Sequence, residues 1–122
     1  MAPKVLIVDD DPLMHQLYGR HLAQAGYQVV TAESGEQALE LVEKERPQLI
    51  VMDVNMPGIG GVAALRELKA QPATRSIPVI VVTSVTEYHL CEKEARTVGA
   101  TVFLTKPFGP AQLLAEIRRL LG

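Results

Sequence analysis

The chain has 122 residues, 48% of them hydrophobic and 21% charged, which is enough for one domain (residues 1–122) with a proper buried core. Its formal net charge of −2 offers no basic footprint for nucleic acid or a membrane surface, and no apolar run approaches the ~20 residues of a membrane span. A single cysteine, Cys91, excludes an internal disulfide framework, and the N-terminus lacks the basic, apolar, small-residue order of a signal peptide, so a cytoplasmic location is expected.

Apolar runs alternate with amphipathic patterns along the chain. The first predicted strand, 4–8 (KVLIV), runs into Asp9, Asp10 and Asp11. Asp11 suits an N-cap and Pro12 the first helical position. Two i,i+4 pairs, Leu13 with Leu17 and Met14 with Tyr18, open that helix, and Gly26 ends it. A second strand, 28–32 (QVVTA), leads to a capping box of Ser34 and Gln37 before Ala38, Leu39, Leu41 and Val42. The third strand, 48–52 (QLIVM), ends at Asp53, and Val62, Leu65 and Leu68 mark a helix near 62–70. A fourth, 78–83 (PVIVVT), precedes a helix from about 87 to 98 that carries Cys91 on an apolar stripe and stops at Gly99. After the fifth strand, 101–104 (TVFL), Pro110 opens a stripe of Leu113, Leu114, Ile117, Leu120 and Leu121.

Five βα units in strict alternation predict a parallel, doubly wound sheet with helices on both faces. The first, third and fourth strands lack polar alternation, as strands covered on both faces do. In a flavodoxin-like order 2-1-3-4-5 the ligand crevice lies beyond the carboxyl ends of the strands. The residues at those ends are therefore informative. Asp9, Asp10 and Asp11 come after strand 1, and Asp53 after strand 3. Thr83 and Ser84 end strand 4, while Thr105, Lys106 and Pro107 come after strand 5. Strands 1 and 3 are neighbours ~4.8 Å apart in that order, so Asp9, Asp10 and Asp53 converge, with Thr83 and Lys106 as the far wall. A Mg²⁺ ion and the Lys106 ammonium would together balance the three carboxylates, and hard oxygen ligands suit that ion.

With these residues placed, the chain resembles the receiver domains of two-component response regulators, the single-domain chemotaxis regulators closely. The carriers are "VDDD", "DVNMPGIGG", "VVTS" and "TKPF", in order over the whole chain. The resemblance implies that Asp53 accepts a phosphoryl group from a phosphohistidine. It implies that Asp10 binds Mg²⁺ directly and Asp9 through water, with Asp53 and the Asn55 backbone carbonyl also on the metal. Thr83 would bind the phosphoryl group and act as the switch hydroxyl, Lys106 would pair with that group, and Phe103 would be the switch aromatic. The Lys106–Pro107 bond would be cis. Partners would be a sensor histidine kinase or histidine phosphotransfer protein, and a downstream target or a second copy meeting helix 87–98, strand 5 and the last helix. The protein would be a switch rather than an enzyme, catalysing only its own phosphoryl transfer and slow dephosphorylation.

Two departures from the family pattern bear on these assignments. Gly60 stands where an aspartate is common, and the stretch from Thr83 to Lys106 is one residue longer than usual. Ser84 therefore competes for the switch role, although Thr83 keeps the usual distance from Pro78 and Asp53. The main rival function is a Mg²⁺-dependent phosphohydrolase in which Asp9, in a D-x-D with Asp11, is the nucleophile. That reading leaves Asp53 idle and needs a longer chain. The start of "KVLIVDDD" at residue 4 suggests a natural N-terminus.

Overall fold

Each strand–helix junction is set by residues that act locally. The computed structural model describes residues 3–53, 60–84, 99, 102–106 and 109–121. Its elements are β1 (Lys4–Val8), α1 (Pro12–Gln24), β2 (Gln28–Ala32), α2 (Gly35–Glu45), β3 (Leu49–Asp53), α3 (Gly60–Ala70), β4 (Val79–Ser84), β5 (Val102–Lys106) and α4 (Pro110–Leu121). The Asp11 side chain caps α1 by accepting from the Leu13 N–H at 3.0 Å, with Pro12 at the first position. Ser34 Oγ accepts from the Gln37 N–H at 3.1 Å. The Gln37 side chain reaches back to the Glu33 N–H at 2.7 Å, one residue before the cap, so the box closes wider than its usual form.

Gly26 ends α1 in a Schellman arrangement. Its own N–H donates to the Ala23 carbonyl, and the Tyr27 N–H donates to that of Leu22 at 3.0 Å. The motif requires Gly26 at φ 99°, where a Cβ would touch no atom within 4 Å. Gly26→Ala should therefore cost backbone strain alone, ~1–2 kcal/mol, seen as a melting temperature lower by roughly 3–8 °C. An unchanged melting temperature would mean that the turn relaxes freely. At the end of α2 an Arg rather than a Gly takes the left-handed cap, Arg46 at φ 50°, and Pro47 behind it prevents another helical turn.

The sheet is parallel, in the order β2-β1-β3-β4-β5. This is the doubly wound α/β arrangement expected from the alternation. Residues 5–8 of β1 and all of β3 are buried, whereas β2 at the edge is only partly covered. On one face, α2 and α3 pack Ala38, Val42, Ala64, Leu65 and Leu68 against Leu6, Ile50, Met52 and Val81. On the other, α1 and α4 pack Tyr18, Leu22, Leu113 and Ile117 against Ile7, Val51, Ile80 and Val82. Each fully buried Leu or Ile of these layers contributes ~1.5–3 kcal/mol of transfer free energy, so the strand order rests mainly on the two apolar layers.

β3, β4 and β5 each begin one residue later than expected and end one or two residues later. β3 includes Asp53, because Asp53 still registers with Val82. β4 reaches Ser84, and β5 runs to Lys106, because Thr105 and Lys106 register with Thr83 and Ser84. The expected helix at 87–98, with Cys91, lies outside the described residues, as do Asn55 and Pro107. Gly99, expected to end that helix, stands at φ 124°.

Candidate functional site

The first turn after β1 is built around a carboxylate. Asp9 Oδ1 accepts from the Asp11 N–H at 2.9 Å, while the Asp9 N–H donates to the Ala32 carbonyl at the end of β2 at 3.0 Å. These bonds fold the chain sharply from β1 into α1 and leave Asp9 6% exposed, with Asp10 turned to solvent. β1 pairs directly with β3, Val8 registering with Met52, so the next residue on each strand is an aspartate. Strand alternation gives Asp53 the face of Val51 and, continued one residue past β1, Asp9 the face of Ile7. Asp53 is 5% exposed. One carboxylate oxygen from each of Asp9, Asp10 and Asp53 lies within 4.8 Å of the other two. Three like charges this close oppose one another.

Thr83 completes the buried polar set. It is 0% exposed, one residue beyond the Val82 that registers with Asp53. Val81 registers with Phe103 and Thr83 with Thr105, so Thr83 and Phe103 belong to the same face of adjacent strands. Phe103 is half-buried and packs against the α2–α3 layer. The backbone of Lys106 stands at the same end of the sheet, in register with Ser84. The residues singled out in the sequence that are described here therefore gather at the carboxyl ends of β1, β3, β4 and β5. The sequence reading did not anticipate the surface beside them. Leu13 and Leu17 of α1, one turn behind the acidic cluster, are 70% and 44% exposed, while Tyr18 of the other i,i+4 pair is buried. Two interleaved i,i+4 pairs look alike in sequence, and only the packing of α1 on α4 separates them.

A parallel (βα) domain with an acidic cluster at its strand ends is an architecture that phosphate-handling proteins share with others, and comparison with known proteins gives the family. The model of the response regulator receiver domain matches residues 5–118. The alkaline phosphatase synthesis transcriptional regulatory protein PhoP of Bacillus subtilis is 34% identical over 121 residues, 99% of this chain and 49% of PhoP. The structure of the chemotaxis response regulator CheY4 of Vibrio cholerae superposes with a TM-score of 0.92 at 36% identity, covering 99% of this chain and 100% of that one. The receiver domain of a sensor histidine kinase from Pseudomonas aeruginosa, solved with a magnesium ion coordinated in its active-site cleft, gives a TM-score of 0.88 at 29% identity, covering 98% of each chain. This chain belongs to the response regulator receiver domain family, the phosphorylation-dependent signalling switches of two-component systems. It spans about half or less of the length of the curated relatives it matches. Among the described residues, no helix is long and apolar enough to cross a membrane.

Proposed function

We propose that this domain takes a phosphoryl group from a phosphohistidine onto Asp53 and signals the change through Thr83 and Phe103 to the face that carries β5 and α4. The observation that carries this reading is the meeting of Asp9, Asp10 and Asp53 within 4.8 Å at the ends of two paired strands. Their oxygens make a hard donor set of the kind Mg²⁺ prefers. Asp9, Asp10 and Asp53 would hold the ion, with the Asn55 carbonyl that the family resemblance adds. Bound there, Mg²⁺ would neutralise the crowded carboxylates and the oxygens of a transferring phosphoryl group.

The protein's own groups do the rest. A carboxylate oxygen of Asp53 attacks phosphorus; the new O–P bond forms as the P–N bond breaks, and its electron pair stays on the donor imidazole. The Lys106 ammonium pairs with a phosphoryl oxygen. A −1 carboxylate becomes a group near −2 with new acceptor oxygens. The Thr83 hydroxyl donates to one of them, and Phe103, on the same face, takes up the space this movement opens. Catalysis here is positioning and charge neutralisation rather than acid–base chemistry. Treating the protein with acetyl phosphate and Mg²⁺ and weighing it intact tests the reading. A single phosphoryl adduct is expected, and its absence would refute the proposal.

A kinase or histidine phosphotransfer protein has to approach this same end of the sheet, and a cytoplasmic setting would supply it. The exposed Leu13 and Leu17 flank that approach, and covering them would favour association by ~1–2 kcal/mol for Leu13 and ~1 kcal/mol for Leu17. Leu13→Lys with Leu17→Lys should slow transfer from a phosphorylated phosphotransfer protein by about ten- to a hundredfold. Transfer from acetyl phosphate should be unchanged. Equal slowing with both donors would mean that the leucines support the site rather than the partner.

A further inference from the structure

The opposite end of the sheet carries a second concavity. The C-terminal half of α2 and the segment between α3 and β4 line a groove of about 440 Å³. It continues between the two helices into a cleft of about 220 Å³, the two sharing Val42, Glu43, Gln71 and Thr74. The floor is apolar only in part, where Leu39 and Ile77 are half-buried and Val42 and Leu68 lie buried among the lining residues. Thr74 adds no free polar group to it, since its Oγ1 donates to the Leu68 carbonyl at 2.6 Å.

The rim is acidic. Glu40, Glu43 and Glu67 stand exposed around the floor, and among the described residues no ion pair engages any of them. The lysine closest in sequence to Glu67 is committed elsewhere, because Lys69 Nζ donates to the carbonyls of Arg75 and Ile77 at 2.9 and 2.7 Å. Arg46 is the one cation among the described lining residues. An excess of negative charge around a partly apolar floor repels nucleic acid and anionic lipid, and it is complementary to a cationic amphipathic segment. From Glu40 to Arg46 the rim follows α2 for ~9 Å, which matches about two turns of a docked helix. Apolar side chains at i and i+3 or i+4 of such a helix would fill the floor, with Lys or Arg beside them meeting the glutamates.

We propose that this groove docks a basic amphipathic helix of a partner protein whether or not Asp53 is phosphorylated. The independence follows from distance. The groove lies at the amino ends of β3 and β4 and the acidic cluster at their carboxyl ends, some ~17 Å of strand away. One end of the sheet then recruits while the other switches, and the proposal stands on residues that the phosphoryl chemistry does not use.

Titration of ¹⁵N-labelled protein with a synthetic amphipathic Lys/Leu helical peptide, and with its Glu/Leu counterpart, tests it. The Lys/Leu peptide should shift the amides of Glu40, Glu43, Glu67, Gln71 and Thr74, and the Glu/Leu peptide should not. The triple variant E40Q/E43Q/E67Q, with a melting temperature matching wild type, should bind about tenfold more weakly, three exposed pairs at roughly 0.5 kcal/mol each. Affinity should be the same in Asp53→Asn, and with or without Mg²⁺. Shifts centred on Asp9, Asp10 and Asp53, or full affinity in the triple variant, would overturn the assignment. So would a dimer in sedimentation velocity that the triple variant abolishes, which would make the occupant a second copy of this chain.

Discussion

Asp53→Asn is expected to abolish the ~80 Da gain that acetyl phosphate and Mg²⁺ give the wild-type protein. The amide keeps the shape of the carboxylate at a position only 5% exposed, so packing in β3 should survive, but its oxygen is too poor a nucleophile to attack phosphorus. The variant also removes one of three carboxylates that lie within 4.8 Å of one another, which relieves repulsion. A melting curve of the variant beside that of wild type shows whether it is folded, so that loss of the adduct is not put down to unfolding. The same pair of measurements on Asp9→Asn separates the two chemistries open to this cluster. In the receiver reading, Asp9→Asn still accepts the phosphoryl group, more slowly because a metal ligand is gone. Label retained in Asp53→Asn and lost in Asp9→Asn would instead make Asp9 the nucleophile, as in a phosphohydrolase.

Much of this arrangement could be read before any coordinates because the strands are covered on both sides. VLIV, LIVM and VIVV have no polar alternation, and the structure buries each of them between two helical layers. The alternation of elements implies a parallel sheet, and in the flavodoxin-like order, where β1 and β3 are neighbours, the meeting of Asp9 with Asp53 is a matter of register. The boundaries were less accessible for a physical reason. Asp53, Thr105 and Lys106 are polar and weak as strand signals, yet their backbones still complete the ladder against Val82, Thr83 and Ser84. Functional side chains in this architecture sit at the last rungs of the sheet, so a reading by propensity ends each strand just short of them.

Other features needed three dimensions. Arg46 closes α2 at positive φ where glycine would be the usual signal, and nothing in "KERPQ" beyond Pro47 marks it. Leu13 and Leu17 look as core-like as Met14 and Tyr18 until α4 packs on one side of α1 and leaves the other bare. Glu40, Glu43 and Glu67 belong to ordinary solvated helix faces in sequence, and only the pairing of α2 with α3 collects them around one groove.

Asp10→Asn should raise the melting temperature of the metal-free protein and remove most of the further rise that Mg²⁺ gives the wild type. Asp10 is the exposed member of the cluster, so water screens its repulsion of Asp9 and Asp53 without cancelling it. At ~5 Å, and with a dielectric between those of the protein surface and water, the repulsion comes to ~1 kcal/mol for each of the two pairs. In a domain of this size each pair accounts for a rise of roughly 3–5 °C. In the wild type, a Mg²⁺ concentration ten times Kd stabilises by about 1.4 kcal/mol through mass action. The substitution and the ion relieve the same crowding, so their effects should not add. Thermal melts of both proteins with and without Mg²⁺ decide the matter. An equal Mg²⁺ response in the two would remove Asp10 from the coordination shell. An unchanged metal-free melting temperature would show that the three carboxylates already relax apart, so that cluster geometry alone does not create the demand for a cation.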